Sequence, residues 1–246
     1  MKIFLVGASG GMGRTFLSMQ DQIEIVAGLA SKEGEIEGVK IYKEFSDVKE
    51  DFDAIIDFSN KDLVDQTIDF AVEKNKPLIE ATTGLEDSSM EKLKQAAGRI
   101  PIVYARNYSL GINTMTDLVE RVAKVLADFD IEILEAHHRN KKDAPSGTAL
   151  MLLDSVKKQR QVEEIYDRTN LHRTRQDDEV GISAIRGGSI VGDHTVIFAG
   201  EDEVLEIKHK AASKKIFAKG AIKAAKFALG KEPGLYSIKD IMKMGD

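Results

Sequence analysis

Groups that can transfer protons and bind anions are concentrated in one short stretch of this chain, from Glu135 to Leu150. The stretch EAHHRNKKDAPSGTAL holds two adjacent histidines, an arginine, two lysines and an aspartate ahead of a Ser-Gly-Thr turn. Histidine titrates near neutral pH, and a lysine among other cations loses its proton more readily than an isolated one. Either residue type can therefore act as a general acid, and the stretch predicts proton transfer to a bound anion.

Two regular elements are predicted to position this charged block. The apolar run at 131–134 is typical of a strand, and apolar residues recur at helical spacing through 149–156. The Pro-Ser pair between them favours a helix start, because proline fixes the turn and Ser146 can cap. Backbone amides at a helix start lack intrahelical acceptors, so those of Gly147 and Thr148 are predicted to bind a carboxylate.

Two simpler interpretations of the block explain less of it. Glu135 and His137 share a face of the predicted strand and could bind a metal ion, but the rest of a ligand set is missing, so we expect no metal. An exposed loop of mixed charge would account for the arginine and the lysines. It gives no reason for the Asp-Ala-Pro-Ser-Gly-Thr segment that follows them.

Composition limits the class of protein. The 246 residues are 42% hydrophobic and 31% charged, which is typical of a globular chain with one large or two modest domains. The net charge of −6 argues against a nucleic-acid or membrane-surface partner, and the absence of cysteine excludes disulfides and thiol catalysis. The first apolar run is too short for a signal peptide or a membrane span, so we expect a cytoplasmic protein.

A glycine-rich turn follows the first predicted strand, Ile3–Val6. Gly7, Gly10 and Gly13 form a G-x-x-G-x-x-G pattern ahead of a helix that is predicted to begin near Met12. Glycines let the backbone approach a pyrophosphate, and the helix start supplies amides. We therefore predict dinucleotide binding by Gly7, Ala8, Ser9, Gly10, Gly11 and Met12.

The alternation of strands and helices continues to residue 105. Further strands are predicted at Ile25–Leu29, Ala54–Phe58, Pro77–Glu80 and Ile100–Ala105, and helices at Asp62–Lys74 and from a Ser88/Glu91 capping box to Gly98. Such alternation indicates an α/β fold with a doubly wound parallel sheet, whose ligands lie outside the carboxyl ends of the strands. The segments after those ends, Ala81–Gly84 and Ala105–Tyr108, should therefore face the cofactor.

The pattern changes in the second half. A long helix is predicted over Gly111–Phe129, and antiparallel strands with one covered face over Val180–Ile185, Ile190–Phe198 and Val204–Lys208. The charged segment 160–178 has little periodicity and is predicted to be a mobile loop, and Lys214–Leu229 is predicted to be a helix with a solvated lysine face.

The block H-H-R-x-K-x-D-A-P-S-G-T-A, entered from Glu-Ala, resembles the signature of the 4-hydroxy-tetrahydrodipicolinate (dihydrodipicolinate) reductase family. The resemblance implies NADPH- or NADH-dependent reduction of a small cyclic imine dicarboxylate, dihydrodipicolinate, in lysine and diaminopimelate biosynthesis. It implies His137 as proton donor and acceptor and Lys141 as proton donor, with His138, Gly147 and Thr148 binding the dicarboxylate.

The resemblance also implies the rest of the cofactor site. Segments that border the nicotinamide in the family match Ala81, Thr82, Thr83, Ala105, Arg106, Asn107 and Tyr108. At the end of the second strand, Ser31 and Lys32 stand where an acidic residue would hold an unphosphorylated ribose, which favours NADPH. Family members often carry a basic residue where this chain has Gly11, so preference stays open and both cofactors are expected to work.

By the same resemblance the chain forms two domains. Residues 1–108 and 214–246 would be a Rossmann-like dinucleotide-binding domain, and 109–213 an α+β domain with a mainly antiparallel sheet that binds substrate and joins a homotetramer. Two other functions stay open: reduction of another imine or amino acid, and a non-catalytic dinucleotide sensor. A sensor has no need for a proton donor beside an anion pocket, which the block supplies.

Overall fold

The computed structural model describes residues 1–243, which form two compact units. The first unit comprises residues 1–110 and the described part of 214–246, and the second comprises 111–213. The second unit is thus inserted into the chain of the first. Across residues 1–243 the model holds no helix whose length and apolar character would let it span a bilayer.

The secondary-structure elements are numbered along the chain. The strands are β1 (Lys2–Val6), β2 (Glu24–Leu29), β3 (Gly34–Ile36), β4 (Val39–Tyr42), β5 (Ala54–Asp57), β6 (Leu78–Glu80), β7 (Pro101–Tyr104), β8 (Asp130–His137), β9 (Glu163–Ile165), β10 (Glu179–Arg186), β11 (Asp193–Ala199), β12 (Val204–Lys210) and β13 (Gly234–Tyr236). The helices are α1 (Gly11–Leu17), α2 (Lys61–Lys74), α3 (Asp87–Ala96), α4 (Leu110–Val125), α5 (Gly147–Lys157), α6 (Lys215–Ala228) and α7 (Ile238–Met242).

The first unit is built on an eight-stranded sheet with the order β13-β7-β6-β5-β1-β2-β4-β3. Every neighbouring pair is parallel except β3 and β4. Alternate residues of β1 enter different cores: Ile3 and Leu5 pack in the cluster that includes α6, and Phe4 and Val6 in the cluster that includes α2 and α3. Because both faces of β1 are buried, the strand is continuously apolar, and the predicted doubly wound sheet is confirmed.

The predicted strands and helices of this unit are present, with ends that differ by one or two residues. The capping box predicted for α3 is wrong. The helix begins at Asp87 with Glu86 in the N-cap position and no side-chain capping hydrogen bond, so Ser88 falls inside the first turn. The short strands β3, β4 and β13 and the helix α7 carry too few residues to show a period and are not predicted by the sequence pattern.

The second unit is built on a five-stranded sheet with the order β12-β11-β8-β10-β9. One face is covered by α4 and α5, whose apolar residues pack against Ile131 and Ile133 of β8. The predicted antiparallel strands are confirmed for β11 and β12, which pair antiparallel with each other, as β11 does with β8. The segment Val180–Ile185 lies in β10, which runs parallel to β8 and β9 instead. The long connection through α5 allows the crossover that a parallel pair needs.

The segment 160–178, predicted to be a mobile loop, contains the short strand β9 and is held by three arginines. Arg168 and Arg173 bind the buried carboxylate of Glu179, and Arg175 binds Glu132. These ion pairs have no local sequence period, which is why the segment resembles a loop. Strand β9 forms the edge of the second sheet beside β10, and the rest of the segment has no regular helix or strand, so its mobility stays a prediction.

Helix α6 returns the chain to the first unit and packs tightly against the segment after β7. A Cβ built on Gly220 would lie 1.7 Å from the carbonyl oxygen of Tyr108. Any side chain at position 220 would therefore push the helix away, and only glycine permits this approach.

Candidate active site

The glycine turn after β1 requires glycine for steric reasons. Gly7 has φ +82°, and a Cβ there would lie 2.7 Å from the carbonyl oxygen of Phe58. A Cβ on Gly13 would lie 2.3 Å from the carbonyl oxygen of Gly7. The turn leads into α1, whose first turn has no acidic residue. Its amides therefore meet an open approach and no competing negative charge, which suits a phosphate.

A cleft of about 490 Å³ opens beside this turn. Among the residues predicted to bind cofactor, Gly7, Ser9, Gly10 and Ser31 line it. Lys32 does not line it, whereas Lys43, which follows β4, does. The Lys43 ammonium is exposed and lies 3.7 Å from the Glu44 carboxylate. Sequence reasoning missed Lys43 because β4, the strand that carries it to the cleft, has no recognisable pattern.

A second cavity of about 370 Å³ brings two strand-end loops together. Ala81, Thr82 and Thr83 line it, as predicted for a strand-end segment, and so does Phe58–Lys61, which follows β5. The other predicted segment, Ala105–Tyr108, lines neither cavity. The Tyr108 side chain is buried, and its hydroxyl lies 2.9 and 2.8 Å from the carbonyl oxygens of Glu80 and Val103, which share its one hydrogen. Any contact of Tyr108 with a cofactor would therefore involve its backbone.

In the turn itself, Ala8 is fully buried, while Gly11 and Met12 open helix α1. These features fit a dinucleotide: a turn in which side chains are sterically excluded, a helix start, and a cleft beside them that is lined by Ser31 after β2 and by Lys43 and Glu44 after β4. The fit rests on the first unit alone.

In the second unit, a buried acid–imidazole pair lies at the end of β8. Glu135 is 1% exposed and His137 is 9% exposed, and the His137 Nδ1 lies 2.6 Å from the Glu135 Oε2. Arg186 of β10 donates to both carboxylate oxygens, at 2.8 Å to Oε2 and 2.7 Å to Oε1. The Ser146 amide donates to Oε1 at 3.0 Å. The carboxylate is thus hydrogen-bonded on every side.

These contacts set the protonation of the pair. Burial alone would raise the pKa of Glu135, but the hydrogen bonds from Arg186 and His137 outweigh it and hold that pKa below its ordinary value. Burial lowers the pKa of His137, while Glu135 opposes that shift. The neighbouring His194, 5.2 Å away between ring centroids, has its pKa lowered to about 4, chiefly by burial and then by His137. At neutral pH Glu135 is therefore ionised and His194 is neutral.

The loop after His137 is held by polar contacts. The Lys141 ammonium lies 2.8 and 2.9 Å from the Asp143 carboxylate oxygens. Burial would raise the pKa of Asp143, but the hydrogen bond and charge of Lys141 lower it below its ordinary value. Arg186 also donates to the Asp143 carbonyl oxygen at 2.7 Å, and the Arg139 amide donates to the Gly188 carbonyl at 3.2 Å. The Arg139 and Asp143 backbones are thus tied to the end of β10 and the turn after it.

The helix start after the loop is formed as predicted. The peptide bond between Ala144 and Pro145 is cis, and the Ser146 hydroxyl accepts the Ala149 amide at 3.2 Å, which confirms the predicted cap of α5. The same hydroxyl lies 3.1 Å from the His194 Nε2. Gly147 is exposed and Thr148 is partly exposed at the start of the helix.

The structure confirms the predicted helix start and places Glu135, which the sequence puts on the same strand face, against His137. The roles of His137 and Lys141 stay predictions. Sequence reasoning did not single out Arg186 and His194, which come from strands that pair with β8 only in the folded sheet. Within residues 1–243 no three His, Cys, Asp or Glu side chains group as a metal site would require. The Glu135–His137 contact joins a carboxylate to an imidazole, two groups that can take part in acid–base chemistry.

A doubly wound unit with a glycine turn, and a second unit with a buried acid–base pair beside a lysine, define the class of dinucleotide-dependent oxidoreductases. Two family models match the chain: "Dihydrodipicolinate reductase, N-terminus" over residues 1–108 and "Dihydrodipicolinate reductase, C-terminus" over residues 111–242. The chain belongs to the dihydrodipicolinate reductase family.

Relatives of known name agree with that membership. The chain is 41% identical, over 100% of its length and 99% of the relative's, to 4-hydroxy-tetrahydrodipicolinate reductase of Caldanaerobacter subterraneus subsp. tengcongensis. It is 40% identical, over 99% of its length and 95% of the relative's, to the enzyme of that name from Rickettsia bellii. The dipicolinate-bound dihydrodipicolinate reductase from Paenisporosarcina sp. TG-14 superposes with a TM-score of 0.78 at 20% identity, covering 96% of this chain and 97% of that one. That superposition shows a shared fold.

Proposed function

We propose that the protein is a 4-hydroxy-tetrahydrodipicolinate reductase, which reduces dihydrodipicolinate to tetrahydrodipicolinate with NADPH or NADH in lysine and diaminopimelate biosynthesis. The observation that carries the proposal is the buried Glu135–His137 pair, followed by Lys141 and a Ser146-capped helix. This group supplies protons and binds an anion in one segment, and relatives that bear the reductase name are similar over the whole chain.

The first unit would hold the dinucleotide. The glycine turn from Gly7 to Gly10 and the start of α1 would receive the pyrophosphate, and Ala81–Thr83 and the backbone of Ala105–Tyr108 would border the nicotinamide. When bound, the reduced nicotinamide supplies a hydride to an electron-poor carbon of the conjugated imine. Ser31 together with Lys43 would hold a 2′-phosphate. Glu44 lines the same cleft and lies 3.7 Å from the Lys43 ammonium, so the cleft holds both charges, and the site would accept both NADPH and NADH.

The second unit would bind the dicarboxylate and supply the proton. The backbone amides of Gly147 and Thr148 would bind one carboxylate at the helix start, with His138 beside it. Hydride addition leaves a negatively charged enamine, which takes up one proton to give the product. His137 and Lys141 would deliver that proton, and a solvent proton would then restore the donor.

The assembly and its setting follow the same proposal. The chain would form a homotetramer through the sheet of the second unit, where Val204 and Leu205 of β12 are exposed. We place the enzyme in the cytoplasm, with no nucleic-acid or membrane partner.

Oxidation of NADPH and of NADH by the purified protein, with freshly generated dihydrodipicolinate, tests the proposal. Turnover is expected with both cofactors. His137→Gln and Lys141→Met should each lower kcat by about 10²- to 10⁴-fold, the usual contribution of a general acid, with cofactor affinity nearly unchanged. The exposed Lys142→Met is the matched control and should leave kcat within about twofold.

Three results would contradict the proposal in different ways. No oxidation with this substrate but oxidation with another imine or amino acid would assign another substrate. Dinucleotide binding without oxidation of any substrate would make the protein a sensor. Full turnover by the His137 and Lys141 variants would remove their assigned roles.

A further inference from the structure

Glu135 contacts His137 on one edge of the imidazole only. The two residues are next-but-one neighbours on β8, so their side chains leave the same face of the strand. The 2.6 Å contact joins the Glu135 Oε2 to Nδ1 of the ring. The Nε2 edge faces Gly192, where a Cβ would lie 3.0 Å from Nε2. The two nitrogens of His137 are therefore in different surroundings.

Arg186 keeps Glu135 in a fixed orientation and in its ionised form. Register places Arg186 of β10 beside His137 of β8, and from there its guanidinium forks onto both oxygens of the Glu135 carboxylate. Such a bidentate pair fixes both position and rotation of the carboxylate. Arg186 donates further to the Asp143 carbonyl oxygen, which ties the same guanidinium to the loop that carries Lys141.

An ionised carboxylate accepts hydrogen bonds and donates none, so the nitrogen that faces it must carry a hydrogen. In neutral His137 this nitrogen is Nδ1, and Nε2 is then left with a lone pair. The other charged and titratable groups around the ring are Lys141 and Asp143 on the loop, Arg186 on β10 and His194 on β11. Of these, Lys141 and Arg186 are cations, and they oppose the positive charge that a second proton would bring.

We propose that Glu135, clamped by Arg186, is a positioning residue that fixes His137 in the Nδ1–H tautomer and so makes Nε2 the atom that exchanges the proton. That Nε2 exchanges a proton with the substrate rests on the proposed function. The tautomer of His137 is a property of the protein without substrate. Protonation at Nε2 gives an imidazolium whose charge is balanced by Glu135. Transfer of that proton to the substrate carbanion returns the ring to the same neutral tautomer.

In Glu135→Gln, the atom that faces Nδ1 of His137 is expected to change from an acceptor oxygen to a donor NH2 group. The amide oxygen is expected at the Oε1 position, where two donors, Arg186 Nη2 and the Ser146 amide, need an acceptor. The NH2 group then takes the Oε2 position, where Arg186 Nη1 loses one acceptor and keeps the Ile185 carbonyl oxygen. There the NH2 group faces Nδ1 of His137, which must become an acceptor. The variant should therefore shift His137 to the Nε2–H tautomer and remove the negative charge that supports protonation.

Nitrogen-15 NMR of the imidazoles in the full-length protein without substrate is the direct test. Wild type should show His137 with Nδ1 protonated and Nε2 not, and Glu135→Gln should show the reverse, with a lower pKa for His137. Steady-state kinetics should show kcat lower by about 10²- to 10⁴-fold, as for a wrong tautomer in other acid–base pairs, with the KM for cofactor within about twofold. Glu132→Gln is the matched control, because Glu132 lies on the same strand and also pairs with an arginine; it should leave both readouts unchanged.

Arg186→Lys keeps the experiment decisive if the Glu135 variant does not fold. Lysine keeps the positive charge but cannot donate to both oxygens of Glu135 in the fixed geometry of a guanidinium. The tautomer should therefore persist, while kcat falls by about 10-fold because the Glu135 carboxylate is oriented less firmly. An Nε2–H tautomer in wild type, or an unchanged tautomer and kcat in Glu135→Gln, would overturn the inference. Full activity of His137→Gln would remove the proton-transfer role proposed for His137 and with it the role of Nε2, whereas no oxidation of either cofactor by wild type would overturn the proposed function; the NMR result decides the tautomer in both cases.

Discussion

Glu135 and Glu80 are both fully buried glutamates near the carboxyl end of a strand, yet their surroundings act on them in opposite directions. The contacts of Glu135 hold its pKa below the ordinary value. Burial, followed by the charge of Asp57, raises the pKa of Glu80 well above it. Burial is common to both sites, so the difference lies in the partners.

Among residues 1–243, Glu80 and its neighbour Asp57 have backbone amide donors but no cation beside them. The two residues pair across β5 and β6, the Ser59 amide donates to Asp57 at 2.7 Å, and the Thr82 amide donates to Glu80 at 2.7 Å. The other carboxylate oxygen of each, Oδ2 and Oε2, has no hydrogen-bond partner among the described residues. Two carboxylates without a counter-ion cannot both ionise cheaply, so one of them keeps a proton.

The comparison shows that a paired guanidinium determines whether a buried carboxyl group is ionised at neutral pH. With Arg186, Glu135 is a fixed negative charge that can orient an imidazole. Without a cation, Glu80 and Asp57 become a proton-holding pair directly beneath the two loops that line the 370 Å³ cavity.

Removing the Arg186 guanidinium should leave Glu135 without a counter-ion, as Glu80 is. The resulting loss in the free energy of unfolding is the largest effect we expect. Arg186→Met leaves a buried charge uncompensated and should lower the free energy of unfolding by about 3–5 kcal/mol near neutral pH. Without Arg186, the pKa of Glu135 in the folded protein should lie above its value in the unfolded chain. The folded protein then loses stability as the pH rises through that raised pKa. The deficit should therefore be smaller near pH 4 than near pH 8, as measured by urea unfolding at both pH values.

The exposed Arg121→Met on α4 is the control and should change stability by less than about 0.5 kcal/mol. If Arg186→Met loses the same free energy of unfolding at both pH values, the loss comes from packing and not from the missing counter-charge. That result would contradict the explanation that Arg186 makes Glu135 differ from Glu80.

Removing the charge from the other site should have the opposite sign. The raised pKa of Glu80 means that its contribution to stability is present below the ordinary value of 4.5 and is lost as pH rises through the folded-state value. Glu80→Gln cannot ionise and should raise the free energy of unfolding by about 1–2 kcal/mol near pH 8, with little change near pH 4.

Asp57→Asn should behave alike, and the double variant should gain less than the sum because either change relieves the shared repulsion. Thermal and urea unfolding at the two pH values measure all three variants. Additive gains would indicate that the two carboxylates do not share a proton. Exposed Glu24→Gln at the start of β2 is the control.

The smallest expected effect concerns an exposed cation. Lys43→Ala should weaken NADPH binding by about 3- to 10-fold, roughly 1 kcal/mol, the upper range for an exposed ion pair, and NADH binding by less than about twofold. Calorimetric titration of the protein without substrate measures both affinities. Lys32→Ala is the matched control, since Lys32 does not line the cleft; a larger effect there than at Lys43 would restore the role that sequence alone assigns to Lys32.

The regular elements could be predicted from sequence because each is long enough to show its period. Ile3–Val6 marks a strand buried on both faces, and the glycine turn after it is local in the chain. The block at 135–150 is also local, which is why the Ser146 cap could be predicted and is confirmed, while the roles of His137 and Lys141 stay predictions.

The missing parts of the site depend on pairing between distant segments. Arg186 lies 51 residues after Glu135, and only the parallel register of β10 with β8 brings them together. The alternating pattern of Val180–Ile185 states that one face is covered but not which strand lies beside it, so an antiparallel neighbour was the wrong expectation. Lys43 was missed for a similar reason, because β4 takes its place through its pairing with β2.

The close approach of Gly220 to Tyr108 bears on how this gene could be rearranged. Residue 214 lies about 9 Å along α6 from Gly220 at 1.5 Å per residue, and Leu110 follows Tyr108 by two residues, so the cut ends at 110 and 214 are at most roughly 20–22 Å apart. A linker of about seven residues spans the longest such gap. Excising codons 111–213 in this way would yield a continuous miniature of the nucleotide-holding half, with the inserted half free to be expressed or exchanged on its own.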